Sequence, residues 1–145
     1  VLCAIDFSDP SLTALAYAAS LAQQSGAALA VLHVIEWPWK EPPAPVMKEL
    51  PPEQAAALTE YRRYVEKGAI ARLESVLPTT VAAGSTPRIS HGKAYAEILR
   101  VAADDRSDLI VVGVHGRNAV DLTLFGSTTN QLVRRATCPV LTLRR

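Results

Sequence analysis

Short, continuous apolar runs alternate along the chain with longer segments that are apolar on one side only. The runs are rich in β-branched residues and end at glycine or polar residues, which is typical of strands buried on both faces of a sheet. The third run is the least regular, because its start lies somewhere between Thr80 and Pro87. The predicted strands are Val1–Ile5, Ala27–Ile35, a strand that includes Arg88–His91, Asp108–Val114 and Pro139–Leu143.

The segments between the strands carry apolar residues at helical spacing. In the first of them, Asp9 is the expected N-cap, Pro10 takes the first helical position and Gly26 is the expected stop. The predicted helices run from Pro10 to about Gln24, from Glu53 to Leu77, from Tyr95 to Asp104 and from Ser127 to about Arg135. The expected core-facing residues are Leu12, Leu15, Ala16, Ala19 and Ala22; then Leu58, Tyr61, Val65, Ala69, Leu73 and Val76; then Ala94, Ile98, Val101 and Ala102.

Alternating strands and helices predict the α/β class, with an open parallel sheet covered by helices on both faces. We expect residues 1–145 to form a single domain of this kind. Ligands of such sheets bind beyond the carboxyl ends of the strands, where the strand order reverses. The first strand and the strand before Gly113 are the expected neighbours there, which would bring Asp6 to the same crevice as Gly113 and Gly126.

A glycine-rich stretch joins the fourth strand to the last helix. Its spacing, Gly113-x2-Gly116-x9-Gly126-Ser127, is neither a Walker A motif nor a dinucleotide fingerprint. A helix that begins at Ser127 offers unpaired N–H groups and a positive dipole end, and the hydroxyls of Ser127 and Thr128 can donate to phosphate oxygens. We therefore predict that this loop binds the phosphates of a nucleotide. The alternative is that the glycines merely end a strand and begin a helix.

Two side chains of the loop, Arg117 and His115, could also contact the phosphates. Arg117 is a good bidentate partner for phosphate, and His115 lies beside it, with solvent exposure as the alternative for both. Elsewhere, His33 is expected to be a satisfied core histidine, and His91 is not assigned to the site. The proline-rich segment 36–52 contains Trp37 and Trp39, and it is interpreted either as a lid over the core edge or as a ligand or partner contact.

The charge, the length of the apolar runs and the cysteine content argue against several classes of protein. The net charge of +1 argues against a nucleic-acid binder that works by electrostatics alone. No apolar run approaches the roughly 20 residues that span a bilayer, so we expect no membrane segment. Cys3 and Cys138 lie in apolar contexts, which suits two buried thiols in a reducing cytoplasm. The spacing of Cys, His and carboxylates predicts no metal site built from protein ligands alone.

Three motifs together resemble the universal stress protein family over essentially the whole chain. They are Ile5-Asp-Phe-Ser-Asp-Pro-Ser11, the glycine spacing with its preceding strand Asp108–Gly113, and Cys138-Pro-Val-Leu-Thr-Leu143. The resemblance implies a Rossmann-like five-stranded parallel sheet of order 3-2-1-4-5 and a homodimer paired through the C-terminal strand. Because every glycine position of the loop is present, the chain resembles the branch of the family that binds ATP.

The same resemblance implies a role for each matching residue. Asp6 would bind the ribose hydroxyls or lie near the phosphates and a Mg²⁺ ion, and Val34 would offer backbone groups to the adenine edge. Gly113, Gly116 and Gly126 would let the backbone approach the phosphates, to which Ser127 and Thr128 would donate. Two positions depart from the family pattern: Val114 replaces a frequent Ser or Thr, and Ala119 replaces a frequent glycine.

These observations favour a cytoplasmic, nucleotide-binding stress or signalling protein that is non-catalytic or at most a slow ATPase. An ATP-hydrolysing or adenylyl-transferring enzyme of the same fold is less favoured, because the loop contains no lysine and no acid except Asp121. An interaction domain with a vestigial loop is the other alternative.

Overall fold

Five parallel strands form the centre of the molecule. The computed structural model describes residues 1–36, 51–77, 85–114 and 126–144. The strands pair in the order β3-β2-β1-β4-β5, which confirms the predicted topology. Their bounds are β1 Leu2–Ile5, β2 Leu29–Ile35, β3 Ser85–His91, β4 Ile110–Gly113 and β5 Val140–Leu143.

Four helices in the described residues cover both faces of this sheet. α1 and Leu73 of α2 pack on one face against alternate residues of β1, β2 and β4, and α3 and α4 pack on the other. The sheet is therefore buried on both faces, as its continuous apolar strands require. The helix bounds are α1 Asp9–Ser25, α2 Pro52–Val76, α3 Ala94–Asp104 and α4 Ser127–Arg135.

The N-terminus of α1 differs from the prediction. Asp9 is already helical, and the N-cap is Ser8, whose extended backbone lets its Oγ accept from the N–H of Ser11 at 3.4 Å. At the other end the prediction is confirmed: Gly26 adopts φ +67°, a conformation that glycine takes without steric cost, and donates its N–H to Ala22. The N–H of Ala27 is also bonded to Ala22, so β2 begins at Leu29 rather than at Ala27.

The buried face of α1 is also rotated from the predicted one. Leu12 is only half-buried and Ala16 is exposed. Four of the five alanines of α1 lie on the buried side, and their small side chains let the helix backbone pack close to the sheet. The buried residues of α1 are Ser11, Ala14, Leu15, Ala18, Ala19 and Ala22.

The predicted apolar face is largely exposed or half-buried in α2 but mostly buried in α3. In α2 only Leu73 is fully buried among the residues of the helix, and Tyr61 is 49% exposed. The main described contacts of α2 with the sheet are to β2 and β3. The half-buried residues of its predicted apolar face are Leu58, Val65, Ala69 and Val76. In α3 the prediction is confirmed, because Ile98, Val101 and Ala102 are buried.

The two cysteines have different environments. Cys3 is fully buried in β1, and this burial raises its pKa to about 12, so it remains a protonated thiol. Cys138 is only half-buried, in contrast to the prediction, because it lies in the connection between α4 and β5 rather than within a strand.

Candidate functional site

A crevice of about 330 Å³ opens where the strand order reverses, beyond the carboxyl ends of β1 and β4. β1 is bordered by β2 on one side and by β4 on the other. The helices that follow β1 and β4 in sequence, α1 after β1 and α4 after β4, pack on opposite faces of the sheet. This volume lies within the range of small-molecule sites, roughly 300–1,000 Å³. The lining residues are Ala4, Ile5, Asp6, Ser11, Leu32, Val34, Glu36, Ala94, Ile98, Val112, Gly113, Gly126, Ser127, Thr128 and Thr129.

Asp6 is held in a tight local turn at the end of β1. Its Oδ1 accepts from the N–H of Ser8 at 3.1 Å and from Ser8 Oγ at 2.5 Å. Its own N–H donates to the buried Ser11 Oγ at 3.3 Å, and that hydroxyl donates onward to the Ser8 carbonyl at 2.9 Å. The carboxylate therefore has a defined position at the crevice, set by the same residues that cap α1.

Phe7 follows Asp6 with φ +63°, in the left-handed region. For a residue with a Cβ this backbone costs on the order of 1–3 kcal/mol, and it persists only where the surroundings hold it. The strained residue thus lies directly beside a candidate ligand-binding carboxylate.

The N-terminus of α4 forms the opposite wall. Gly126 precedes the helix with an ordinary φ of −52°, and, as a glycine, it provides no side-chain cap for the helix. The carbonyl of Gly126 accepts from the N–H of Asn130 at 2.9 Å, which closes the first turn. Ser127, Thr128 and the buried Thr129 lie in this turn, so their N–H groups belong to the end of the helix that carries partial positive charge.

Gly113 has a packing role that the spacing did not reveal. A Cβ at this position would lie 2.5 Å from both the carbonyl carbon of Pro10 and the nitrogen of Ser11. The backbone of α1 therefore passes directly over β4, and only glycine fits. At Gly126, in contrast, no atom of the described residues lies within 4 Å of the corresponding position, so none of them blocks a ligand there.

The other half of the crevice is mainly apolar and is formed by β2 and α3. Leu32, Val34 and Ile98 contribute aliphatic side chains. At its rim, Glu36 Oε1 accepts from the N–H of Ala94 at 2.5 Å, which caps α3 from a distant part of the chain. Lys93 Nζ lies 3.9 Å from Glu36 Oε2.

The structure brings together six of the eight predicted site residues. Ser11, Glu36 and Thr129 also line the crevice and were not predicted. Glu36 follows a buried strand, as Asp6 does, so the same rule identifies it from the sequence. Gly116 and Arg117, with His115 and Ala119, lie outside the described residues, as do Trp37 and Trp39. The six that line the crevice are Asp6, Val34, Gly113, Gly126, Ser127 and Thr128.

The two histidines outside the loop do not line the crevice. His33 is half-buried, and its Nδ1 hydrogen-bonds to the Ile5 carbonyl at 2.9 Å, which confirms a satisfied histidine within the fold. His91 is exposed, with its Nε2 3.9 Å from Glu66 Oε1.

Among the described residues, no three His, Cys, Asp or Glu side chains converge as a metal site. Asp6 and Glu36 supply carboxylate oxygens to the crevice. Mg²⁺ is usually held by one or two carboxylates together with phosphate oxygens and water, so the donor set fits a metal that enters with a nucleotide. Within the same described ranges, no helix combines the length and apolarity needed to cross a membrane.

Comparison with known proteins identifies relatives of both sequence and fold. A universal stress protein from Thermus aquaticus is 33% identical over 148 residues, which cover 99% of this chain and 97% of that protein. The structure of universal stress protein UspA from Lactobacillus plantarum is similar with a TM-score of 0.69 and 30% identity, over 99% of this chain and 95% of the other.

A more distant structure shares the fold and is described as a universal stress protein in complex with cAMP. It has a TM-score of 0.61 and 24% identity, over 99% of this chain and 94% of the other. The model of the universal stress protein family matches residues 1–144. The fold, the site at the reversal of strand order and these matches agree, and the chain belongs to the universal stress protein family.

Proposed function

We propose that this protein binds an adenine nucleotide, ATP together with Mg²⁺, in the crevice between β1 and β4. The observation that carries the proposal is the convergence of Asp6 with the open N-terminus of α4 at the reversal of strand order. A crevice at this position is where parallel α/β sheets bind their ligands. The universal stress protein solved with cAMP holds an adenine nucleotide on the same fold, which supports this ligand class.

The two halves of the crevice suit the two ends of a nucleotide. The aliphatic side chains of Leu32, Val34 and Ile98 offer an apolar surface to a planar base. The N–H groups and hydroxyls of Ser127 and Thr128 suit phosphate oxygens at a helix N-terminus. Asp6 lies between these regions in the sheet order, where its carboxylate can accept from ribose hydroxyls or bind the metal ion.

The lining favours a binding protein over an efficient catalyst. Among the described lining residues, the ionisable side chains are Asp6 and Glu36, and Oδ1 of Asp6 and both oxygens of Glu36 already contact protein groups. Phosphoryl transfer requires cationic groups at the phosphates and a positioned base or water. We therefore infer that nucleotide occupancy serves stress response or signalling, with ATP hydrolysis slow at most.

Calorimetric titration of nucleotide-stripped protein with ATP and Mg²⁺ tests the proposal. Saturable binding is expected, with GTP much weaker, and Asp6→Ala should lower ATP affinity while the thermal unfolding transition is kept. Glu60→Gln, at an exposed position of α2, is the matched control and should bind like wild type. Absence of saturable heat with ATP in the folded wild-type protein would refute nucleotide binding.

We also propose that two copies pair through β5. This strand lies at the edge of the sheet, its four residues are half-buried, and it hydrogen-bonds to β4 on one side. An edge strand presents unpaired backbone groups that a second strand can meet. In such a homodimer the two sheets would continue into each other.

A further inference from the structure

The contacts around Phe7 assign it a role that the proposed nucleotide site does not include. Phe7 is the residue between Asp6 and the Ser8 cap, and its backbone is in the left-handed region with φ +63°. Phenylalanine disfavours this conformation, so something in the fold must hold it. The described residues that contact the ring show which parts of the fold hold this backbone conformation.

Side chains of β2 and α2, which are far apart in the sequence, contact the ring of Phe7. The ring of His33, on β2, packs against it at a centroid distance of 4.5 Å and an interplanar angle of 47°. The guanidinium of Arg72, on α2, lies 4.4 Å from the ring centroid, in the geometry of a cation–π contact. The residue next to Arg72 is the fully buried Leu73, so the guanidinium extends from an anchored turn of α2.

His33 also fixes the strand end that leads into the turn. Its Nδ1 hydrogen-bonds to the carbonyl of Ile5, the residue before Asp6. Asp6 therefore lies between a carbonyl tied to His33 and a ring packed on the same His33. Its carboxylate Oδ1 in turn accepts from the N–H and Oγ of Ser8.

We propose that Phe7 is a positioning residue, which, clamped by His33 and Arg72, holds the backbone turn that presents the Asp6 carboxylate to the ligand. This inference rests on the proposed nucleotide site for its effect on affinity. The effect of Phe7 on the Asp6–Ser8 turn does not depend on a bound ligand. The competing explanation is that the ring only covers the edge of the core, against which it is partly packed.

Phe7→Ala and Phe7→Gly separate the two explanations. Both remove the ring, but alanine disfavours a positive φ, whereas glycine adopts it freely. If the ring holds the turn, ATP affinity should fall about tenfold in Phe7→Ala and clearly less in Phe7→Gly. If the ring only covers the core, ATP affinity should stay within about twofold of wild type in both variants, and only the thermal unfolding transition should fall.

A double-mutant cycle tests whether Phe7 acts through Asp6. In an Asp6→Ala background, Phe7→Ala should change ATP affinity by less than about twofold, because the group it positions is gone. Phe7→Tyr, which keeps the ring, should bind like wild type. Equal losses from Phe7→Ala in both backgrounds would overturn the positioning role, as would unchanged affinity in Phe7→Ala alone.

A measurement without nucleotide keeps the inference independent of the proposed function. The exchange rate of the Ser8 amide proton, followed by NMR, reports the hydrogen bond to Asp6 Oδ1. It should rise most in Phe7→Ala, less in Phe7→Gly, and remain unchanged in Tyr64→Ala, a control at an aromatic residue that is 78% exposed. Failure of wild-type protein to bind ATP would refute the proposed function alone, whereas an unchanged Ser8 exchange rate in Phe7→Ala would refute the clamp.

Discussion

Gly113 and Gly126, two glycines of the same motif, have different structural roles at the crevice. Gly113 is required because the backbone of α1 occupies the space that a side chain would take. At Gly126 no described residue occupies that space, which borders the N-terminus of α4. The same motif therefore combines a packing position with a position that is available to a ligand, and substitutions should separate the two.

Gly126→Asp should abolish ATP binding while the protein stays folded. The side chain meets no atom of the residues that the structure describes, so we expect the fold to tolerate it, but a carboxylate at the helix N-terminus repels phosphate and fills its place. Calorimetry with ATP and Mg²⁺ measures the loss, and thermal unfolding confirms the fold. Gly126→Ala is the control for volume alone and should remain folded; undiminished ATP affinity in Gly126→Asp would show that phosphates do not lie there.

Gly113→Ala should instead destabilise the protein. A Cβ 2.5 Å from the backbone of Pro10 and Ser11 forces α1 away from β4, and overpacking of this kind typically costs about 1–3 kcal/mol. Urea unfolding of the variant and of wild type measures the change in the free energy of unfolding. An unfolding midpoint equal to that of wild type would mean that α1 does not pack as closely as described.

At the scale of elements, polar side chains join β3 to α3 on the surface beside the crevice. Glu97 of α3 accepts from Arg100 Nη2 at 2.8 Å and from Ser90 Oγ of β3. Arg100 also donates to Asp104 at 2.9 Å. The hydrogen bond from Arg100, followed by that from Ser90, lowers the pKa of Glu97 below its ordinary value of 4.5.

The stability difference between wild type and Glu97→Gln should depend on pH. A carboxylate with a lowered pKa in the folded state stabilises the protein above its unfolded pKa, and this contribution is lost as pH falls through the folded pKa. We expect wild type to be the more stable near pH 7 and the difference to shrink progressively below pH 4.5. Urea unfolding at several pH values measures it. Glu60→Gln should show no such trend, and a difference independent of pH would contradict the ionic role of Glu97.

At the scale of the whole molecule, β5 is the edge strand of the sheet formed by the described residues. The carbonyls of Pro139 and Leu143 accept from β4, so alternation along the strand directs the N–H of Thr142 to the outer edge. A homodimer built on this edge would use that donor. The geometry therefore offers a substitution that affects the dimer without disturbing the pairing of β5 with β4.

Thr142→Pro should convert the proposed dimer into a monomer, because proline lacks the N–H and blocks the edge. Light scattering at high micromolar concentration measures the mass, and circular dichroism checks that the fold is kept. Thr142→Val keeps the N–H and should remain dimeric. A monomeric mass for the wild-type protein at this concentration would rule out pairing through β5.

The sequence alone was sufficient for the fold class, the approximate position of the helices and strands that the structure describes, and much of the candidate site. Strands buried on both faces must be continuously apolar, and the helices between them must be amphipathic, so local pattern carries the architecture. Asp6, Gly126, Ser127 and Thr128 were recognisable because a strand end and a helix N-terminus have local signals. The strand order came from the family resemblance and is confirmed by the pairing of β1 with both β2 and β4.

Tertiary structure decided what depends on contacts between distant segments. The capping of α3 by Glu36, the close passage of α1 over Gly113 and the clamp on Phe7 each join residues far apart in the chain. Packing on the sheet also decided the buried face of α1, because it buries Ser11 and Ala14 in place of the predicted Leu12 and Ala16. Local pattern records which residues can be buried, whereas packing against a particular neighbour determines which ones are.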